Sequence, residues 1–165
     1  MKYYIFDLDN TLIFTDSLNN ESYNYALTKL KLSPIKTDKR ITRSIVFKKY
    51  QNLTNDDKNN LIKIKQNYFI THIQKTIPNT HLLNTLQNNK KEQCILWTNC
   101  EKTRAIALLK YYQLNNCFAH IVYYDKNNIQ ESVDKILKLC NCNLLNIEIY
   151  DDNINIINYI KLKKD

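Results

Sequence analysis

Glycine is absent from this chain of 165 residues, where roughly a dozen would be ordinary at that length. Asn, Ile, Lys and Tyr are abundant instead, a pattern that fits an AT-rich genome and weakens any reading of partners from composition alone. Turns must then rely on residues that tolerate the left-handed backbone region, which Asn does better than other non-glycine residues. There are two prolines. Pro34 separates two helix-like stretches, since the residue before a proline avoids the helical region, and Pro78 stands where an inserted segment would end. Five cysteines, at 94, 100, 117, 140 and 142, form no CxxC pair and show no spacing of a zinc site or disulfide framework, so reduced thiols and a cytoplasmic protein are expected. No apolar run approaches the about 18 residues that span a bilayer. The opening MKYYIFDLDN reaches two aspartates too early for a signal peptide. No membrane partner is expected, and nothing in the sequence speaks to oligomeric state.

The length suits one core domain with room for a small insertion. Hydrophobic residues make up 44% and charged residues 24%, as in ordinary globular chains, so a packed core is expected. The net charge of +8 is discounted, because part of the lysine excess follows from the same compositional drift.

Four short β-prone runs, residues 3–6, 94–97, 120–124 and 146–150, each end at a polar residue. Helix-like stretches at 102–112 and 132–140 separate the last three, and that alternation predicts an α/β fold with a parallel sheet. Ligands of such sheets lie beyond the carboxyl ends of the strands. Between residues 15 and 78 the alternation stops. Three helix-like stretches, 20–30, 39–50 and 57–77, predict an inserted helical segment whose first helix opens at Asp16 and Ser17 as an N-cap arrangement.

The strand ends carry the chemistry. Asp7 and Asp9 follow the first run, Thr98 and Asn99 the second, Asp125 and Lys126 the third, and Asp151, Asp152 and Asn153 the fourth. An acid pair, a hydroxyl, an ammonium and a second acid pair at one sheet edge are much harder to obtain by chance than any one of them.

In these residues the chain resembles the haloacid dehalogenase superfamily, and its helical-cap, phosphoglycolate phosphatase-like branch in particular. FDLDNTL matches the first motif, Thr98 the second, Lys126 the third, and Asp151 with Asn155 the fourth. Asn127 stands where relatives often have Pro, which leaves Lys135 as the alternative third-motif lysine. Tyr150 stands where relatives often have Gly, so Asp151 and Asp152 both remain open as the acid that faces a metal. The resemblance implies a Rossmann-like core of three α/β/α layers with about four parallel strands, formed by residues 1–14 and 79–165. It makes residues 15–78 an α-helical cap.

The activity it implies is phosphate monoester hydrolysis with Mg2+ as cofactor, on a small phosphorylated substrate. Asp7 would be the nucleophile and Asp9 the acid/base. Thr98, the Asn99 amide and Lys126 would bind phosphate oxygens, and Asp7, the Asp9 carbonyl and Asp151 would hold the metal, supported by Asp152 and Asn155. Asp9 would stay protonated beside Asp7 through like-charge repulsion. Its presence favours phosphoryl transfer over dehalogenation, because a halide needs no acid to leave. In the cap, Arg40 and Arg43 lie three apart, hence on one helix face, and suit substrate anions. A basic cap keeps nucleic-acid ends in view as substrates without any motif for them, and a degenerate, non-catalytic binding protein is the other alternative.

Overall fold

The computed structural model describes residues 1–164. In chain order the elements are β1 (Tyr3–Phe6), β2 (Ile13–Phe14), α1 (Asp16–Lys29), α2 (Arg43–Lys49), α3 (Asn55–Thr71), β3 (Ile77–Pro78), α4 (Thr80–Gln87), β4 (Cys94–Trp97), α5 (Lys102–Tyr111), β5 (His120–Val122), α6 (Ile129–Cys140), β6 (Ile147–Tyr150) and α7 (Ile154–Leu162). They fall into two compact units, one formed by residues 1–13 and the chain from Pro78 onward, the other by Phe14–Ile77.

The first unit holds a four-stranded parallel sheet in the order β5, β4, β1, β6. β1 is central because both its neighbours are supplied later in the chain, and its Ile5 and Phe6 are fully buried. Side chains alternate across a strand. Ile5, Ile95, Trp97, Val122 and Ile147 therefore share one face, packed against Val133 and Ile136 of α6 and Ile156 and Ile160 of α7. Right-handed crossovers from β1 to β4 and from β4 to β5 run in one direction along the sheet and put α4 and α5 on the opposite face. There Phe6 meets Phe118 edge to face and stacks on Tyr150 at 5.0 Å. The result is the expected α/β/α sandwich.

Register sets the level of the strand ends. Phe6 pairs with Leu96 on one side and Tyr150 on the other, so Asp7 and Asp151 emerge at the same height and Thr98 one residue further along β4. The Asp7 N–H continues the ladder to the Tyr150 carbonyl at 2.9 Å. β5 ends at Val122 rather than at residue 124, because the Tyr124 carbonyl accepts the Trp97 indole N–H at 3.1 Å instead of a strand partner.

The second unit is helical, with a core of Tyr23, Ala26, Leu27, Ile41, Val46 and Leu61. The expected helix over 39–50 is shortened to α2, and the cause lies at a distance. Asn20 of α1 donates to the Lys39 carbonyl at 2.8 Å and accepts the Ile41 N–H at 2.7 Å, while Asn19 donates to the Ile41 carbonyl at 2.9 Å. Those bonds hold 39–41 out of a helix, and the Thr42 hydroxyl then caps α2 by accepting the Ile45 N–H. Arg40 thus precedes the helix on which Arg43 is the first residue, and the two do not share a helix face. Arg40 instead pairs with Asp16 and donates to Thr15. α1 opens at Asp16 as expected, but its N-cap residue, Thr15, makes no side-chain cap bond.

Among the described residues four adopt a positive φ, Asn10, Lys31, Gln113 and Asn141. Two of these are Asn, as the lack of glycine led one to expect. Among the described residues no helix is long and apolar enough to cross a membrane. All five cysteines are free.

Candidate active site

The strand ends and the residues around them lie within the first unit. The chain leaves β1 at Asp7 and turns at once, because Asn10 takes a left-handed conformation with φ 57°. Its N–H bonds the Ile13 carbonyl at 2.7 Å and the Ile13 N–H bonds the Leu8 carbonyl at 3.0 Å. Leu8 and Leu12, both fully buried, anchor the loop from below.

The turn sends the two carboxylates in different directions. Asp7, only 5% exposed, points to Lys126, whose Nζ lies 2.6 Å from Asp7 Oδ1 and 2.6 Å from Asp151 Oδ2. The ammonium also sits 5.3 Å from the centre of the Trp97 ring, a favourable cation–π position. Asn99 helps to place it, since its side-chain oxygen accepts the Lys126 N–H at 3.2 Å. Thr98 is buried and its hydroxyl accepts the Cys100 N–H at 3.0 Å. Asp151 is fixed from its other oxygen, which accepts the Asn153 N–H at 2.8 Å.

The open alternatives are separated by position. Lys135 lies on the outer side of α6, exposed and paired with Glu131, whereas Lys126 joins two of the strand ends. Asp151 is buried and Asp152 exposed, yet Asp7, Asp151 and Asp152 each offer an oxygen within 4.8 Å of the others. Asn155 is in the first turn of α7 with an exposed side chain. Thr11, Asn79, Leu82, Tyr150, Asp151 and Asp152 line an open cavity of about 250 Å³ beside this cluster.

Burial dominates the electrostatics. It pushes the Asp7 carboxyl from 3.8 up to about 7; Lys126 works against that rise, and Asp151 and Asp9 add to it. Asp9 meets a cation of its own, the guanidinium of Arg104, which is buried on α5. Arg104 escaped the sequence reading because it sits in an amphipathic stretch. Its signal was rarity, for it is one of three arginines among 24 basic residues.

The donor set suits a small hard dication. Three convergent carboxylates and one ammonium leave a local surplus of negative charge, all oxygen ligands, at a solvent-accessible edge.

The sequence matches the family model described as haloacid dehalogenase-like hydrolase over residues 4–157. No match is found among curated proteins. Solved structures that it resembles include a predicted phosphoglycolate phosphatase from Haemophilus somnus, with 15% identity, a TM-score of 0.75, and coverage of 90% of this chain and 76% of that one. A family IA, variant 3 hydrolase from Entamoeba histolytica aligns with 15% identity and a TM-score of 0.73, over 99% of this chain and 81% of the other. A haloacid dehalogenase-like family hydrolase from Streptococcus pneumoniae gives 14% identity and a TM-score of 0.69, over 98% and 80%. At these identities the likeness is one of fold.

Proposed function

The chain belongs to the haloacid dehalogenase-like hydrolases, and on that premise we propose that it is a magnesium-dependent phosphomonoesterase acting on a small phosphorylated metabolite through an aspartyl-phosphate on Asp7. The observation that carries this reading is the Lys126 ammonium held between the carboxylates of Asp7 and Asp151. Two buried acids around a built-in cation are costly to maintain in a fold that does no chemistry, which favours an enzyme over a binding-only relative.

A phosphate monoester repels an anionic nucleophile, and its uncatalysed hydrolysis is among the slowest biological reactions. A magnesium ion held by Asp7, the Asp9 carbonyl and Asp151, with Asp152 in support, would supply positive charge that offsets this repulsion. Asp7 attacks phosphorus in line, forming a P–O bond to its carboxylate as the bond to the ester oxygen breaks. Asp9 gives its proton to the departing alcohol. Water then attacks the aspartyl-phosphate, Asp9 takes up its proton, and inorganic phosphate leaves with Asp7 regenerated. Lys126 and the Thr98–Asn99 segment bind the transferring oxygens, each such donor being worth about 3 kcal/mol. The helical unit Phe14–Ile77 serves as the cap.

The test is hydrolysis of an aryl phosphate and a panel of phosphometabolites, with magnesium and with EDTA. Turnover that requires the metal is expected, and complete inactivity across the panel would remove the reading. Magnesium affinity should also depend on pH. Because the Asp7 carboxyl ionises at about 7, protons compete with the cation below that value, and affinity should weaken about tenfold per pH unit on the acid side and level off above pH 8. Calorimetry in buffers of different ionisation enthalpy would reveal the proton released near pH 6.5. A flat affinity between pH 5.5 and 8.5 would contradict the buried state of Asp7.

A further inference from the structure

We propose that Arg104 is a positioning residue that sets the direction of the Asp9 carboxylate and links it to the Thr98 strand end; this rests on the reading of Asp9 as the acid/base of a phosphomonoesterase. Arg104 is 7% exposed, unusual for a guanidinium unless its charge and donors are used. One Nη donates to Asp9 Oδ2, and Nε donates to the Cys100 sulfur at 3.0 Å. The Cys100 N–H in turn bonds the Thr98 hydroxyl. Contacts therefore run without a break from Asp9 through Arg104 and Cys100 to Thr98, joining the ends of β1 and β4 beyond the hydrogen bonds of the sheet.

The planar guanidinium fork is what makes this a matter of orientation. Two of its donors point to two fixed acceptors, so the plane of the group is set, and with it the position of the Asp9 oxygen that it holds. Arg104 is itself fixed in the first turn of α5, where Glu101 accepts its N–H and that of Thr103, both at 3.0 Å. A lysine could replace the charge but not both contacts at once.

A merely structural ion pair and a positioning pair differ in one measurable respect. Protonation of the leaving group matters for an alkyl phosphate, whose alcohol is a poor leaving group, and hardly for p-nitrophenyl phosphate. Mispositioning of Asp9 must therefore show in kcat/KM, which reports the step that breaks the ester bond, and must show selectively. In the magnesium-loaded enzyme, Asp9→Asn should lower kcat/KM on a simple alkyl phosphate by about 100-fold or more. Arg104→Met should lower it by about 30-fold on the same substrate but by less than about threefold on p-nitrophenyl phosphate, with Arg104→Lys between Met and wild type. Thermal melts confirm that each variant is folded; should Arg104→Met not fold, Arg104→Lys carries the comparison, with an expected loss of about tenfold confined to the alkyl substrate. Equal losses on both substrates, or no loss on either, overturn the positioning role. A wild type without metal-dependent turnover, or an Asp9→Asn enzyme that shows no leaving-group preference, overturns the parent reading and the proposal with it, and is distinguishable because it does not involve Arg104.

Discussion

Asp7→Asn is expected to lower kcat by at least about 10⁴-fold, since the nucleophile is gone and the remaining donors can only bind substrate. The same change should make the metal-free protein more stable. An unfolded Asp7 ionises near 3.8 and the folded one at about 7, chiefly because of burial. As pH rises between those values the unfolded chain gives up a proton that the folded chain retains, so the native state loses stability, and the full penalty is present above about pH 7. Asparagine carries no charge and escapes it. A rise of about 1–3 kcal/mol in unfolding free energy at pH 8 in EDTA is expected, shrinking towards zero near pH 4. Denaturant melts of both proteins at pH 4.5, 6 and 8 measure this directly. A variant no more stable than wild type at pH 8 would show that Asp7 is better solvated than the geometry indicates.

The converse change, Lys126→Met, removes the charge between two acids that are 5% and 9% exposed. Breaking a buried pair from one side leaves uncompensated charge, so a loss of about 3–5 kcal/mol is expected at pH 8. It should diminish below pH 6 as Asp7 takes up a proton. Turnover should fall by about 10²- to 10³-fold through the missing contact to the transferring phosphoryl group. Combining Lys126→Met with Asp7→Asn should recover much of the lost stability, because one of the two stranded charges is gone; strict additivity of the two changes would argue against direct coupling. Lys135→Met supplies the control. Its partner Glu131 is exposed on the same helix, and the substitution should leave both melting and turnover unchanged.

These expectations draw on features of unequal legibility. The strands could be read because each is a short β-prone run that stops at a polar residue, and their parallel arrangement followed from the helices between them. Asp7, Thr98 and Asp151 were legible for the same reason. The choice between Lys126 and Lys135 was not, because spacing along a chain does not reveal which side of α6 faces the sheet. The separation of Asp7 from Asp9 was also hidden, since the partner that holds Asp9, Arg104, lies 95 residues further along the chain. Arg40 and Arg43 show the opposite failure. Their spacing suggested one helix face, but Asn19 and Asn20, some twenty residues earlier, capture the backbone at 39–41. A hydrogen bond from afar outweighs a weak local preference for helix.

The outer strand β6 forms one margin of the sheet among the described residues. Lys2 pairs with Glu148 there, and the Lys164 ammonium lies on the Ile147 carbonyl. A foreign strand seeking to zip onto this rim would have to displace that ammonium and approach alongside charged groups, both unfavourable. The basic excess of the chain thus guards the sheet against fibril-like self-association, quite apart from anything it contributes to binding anions.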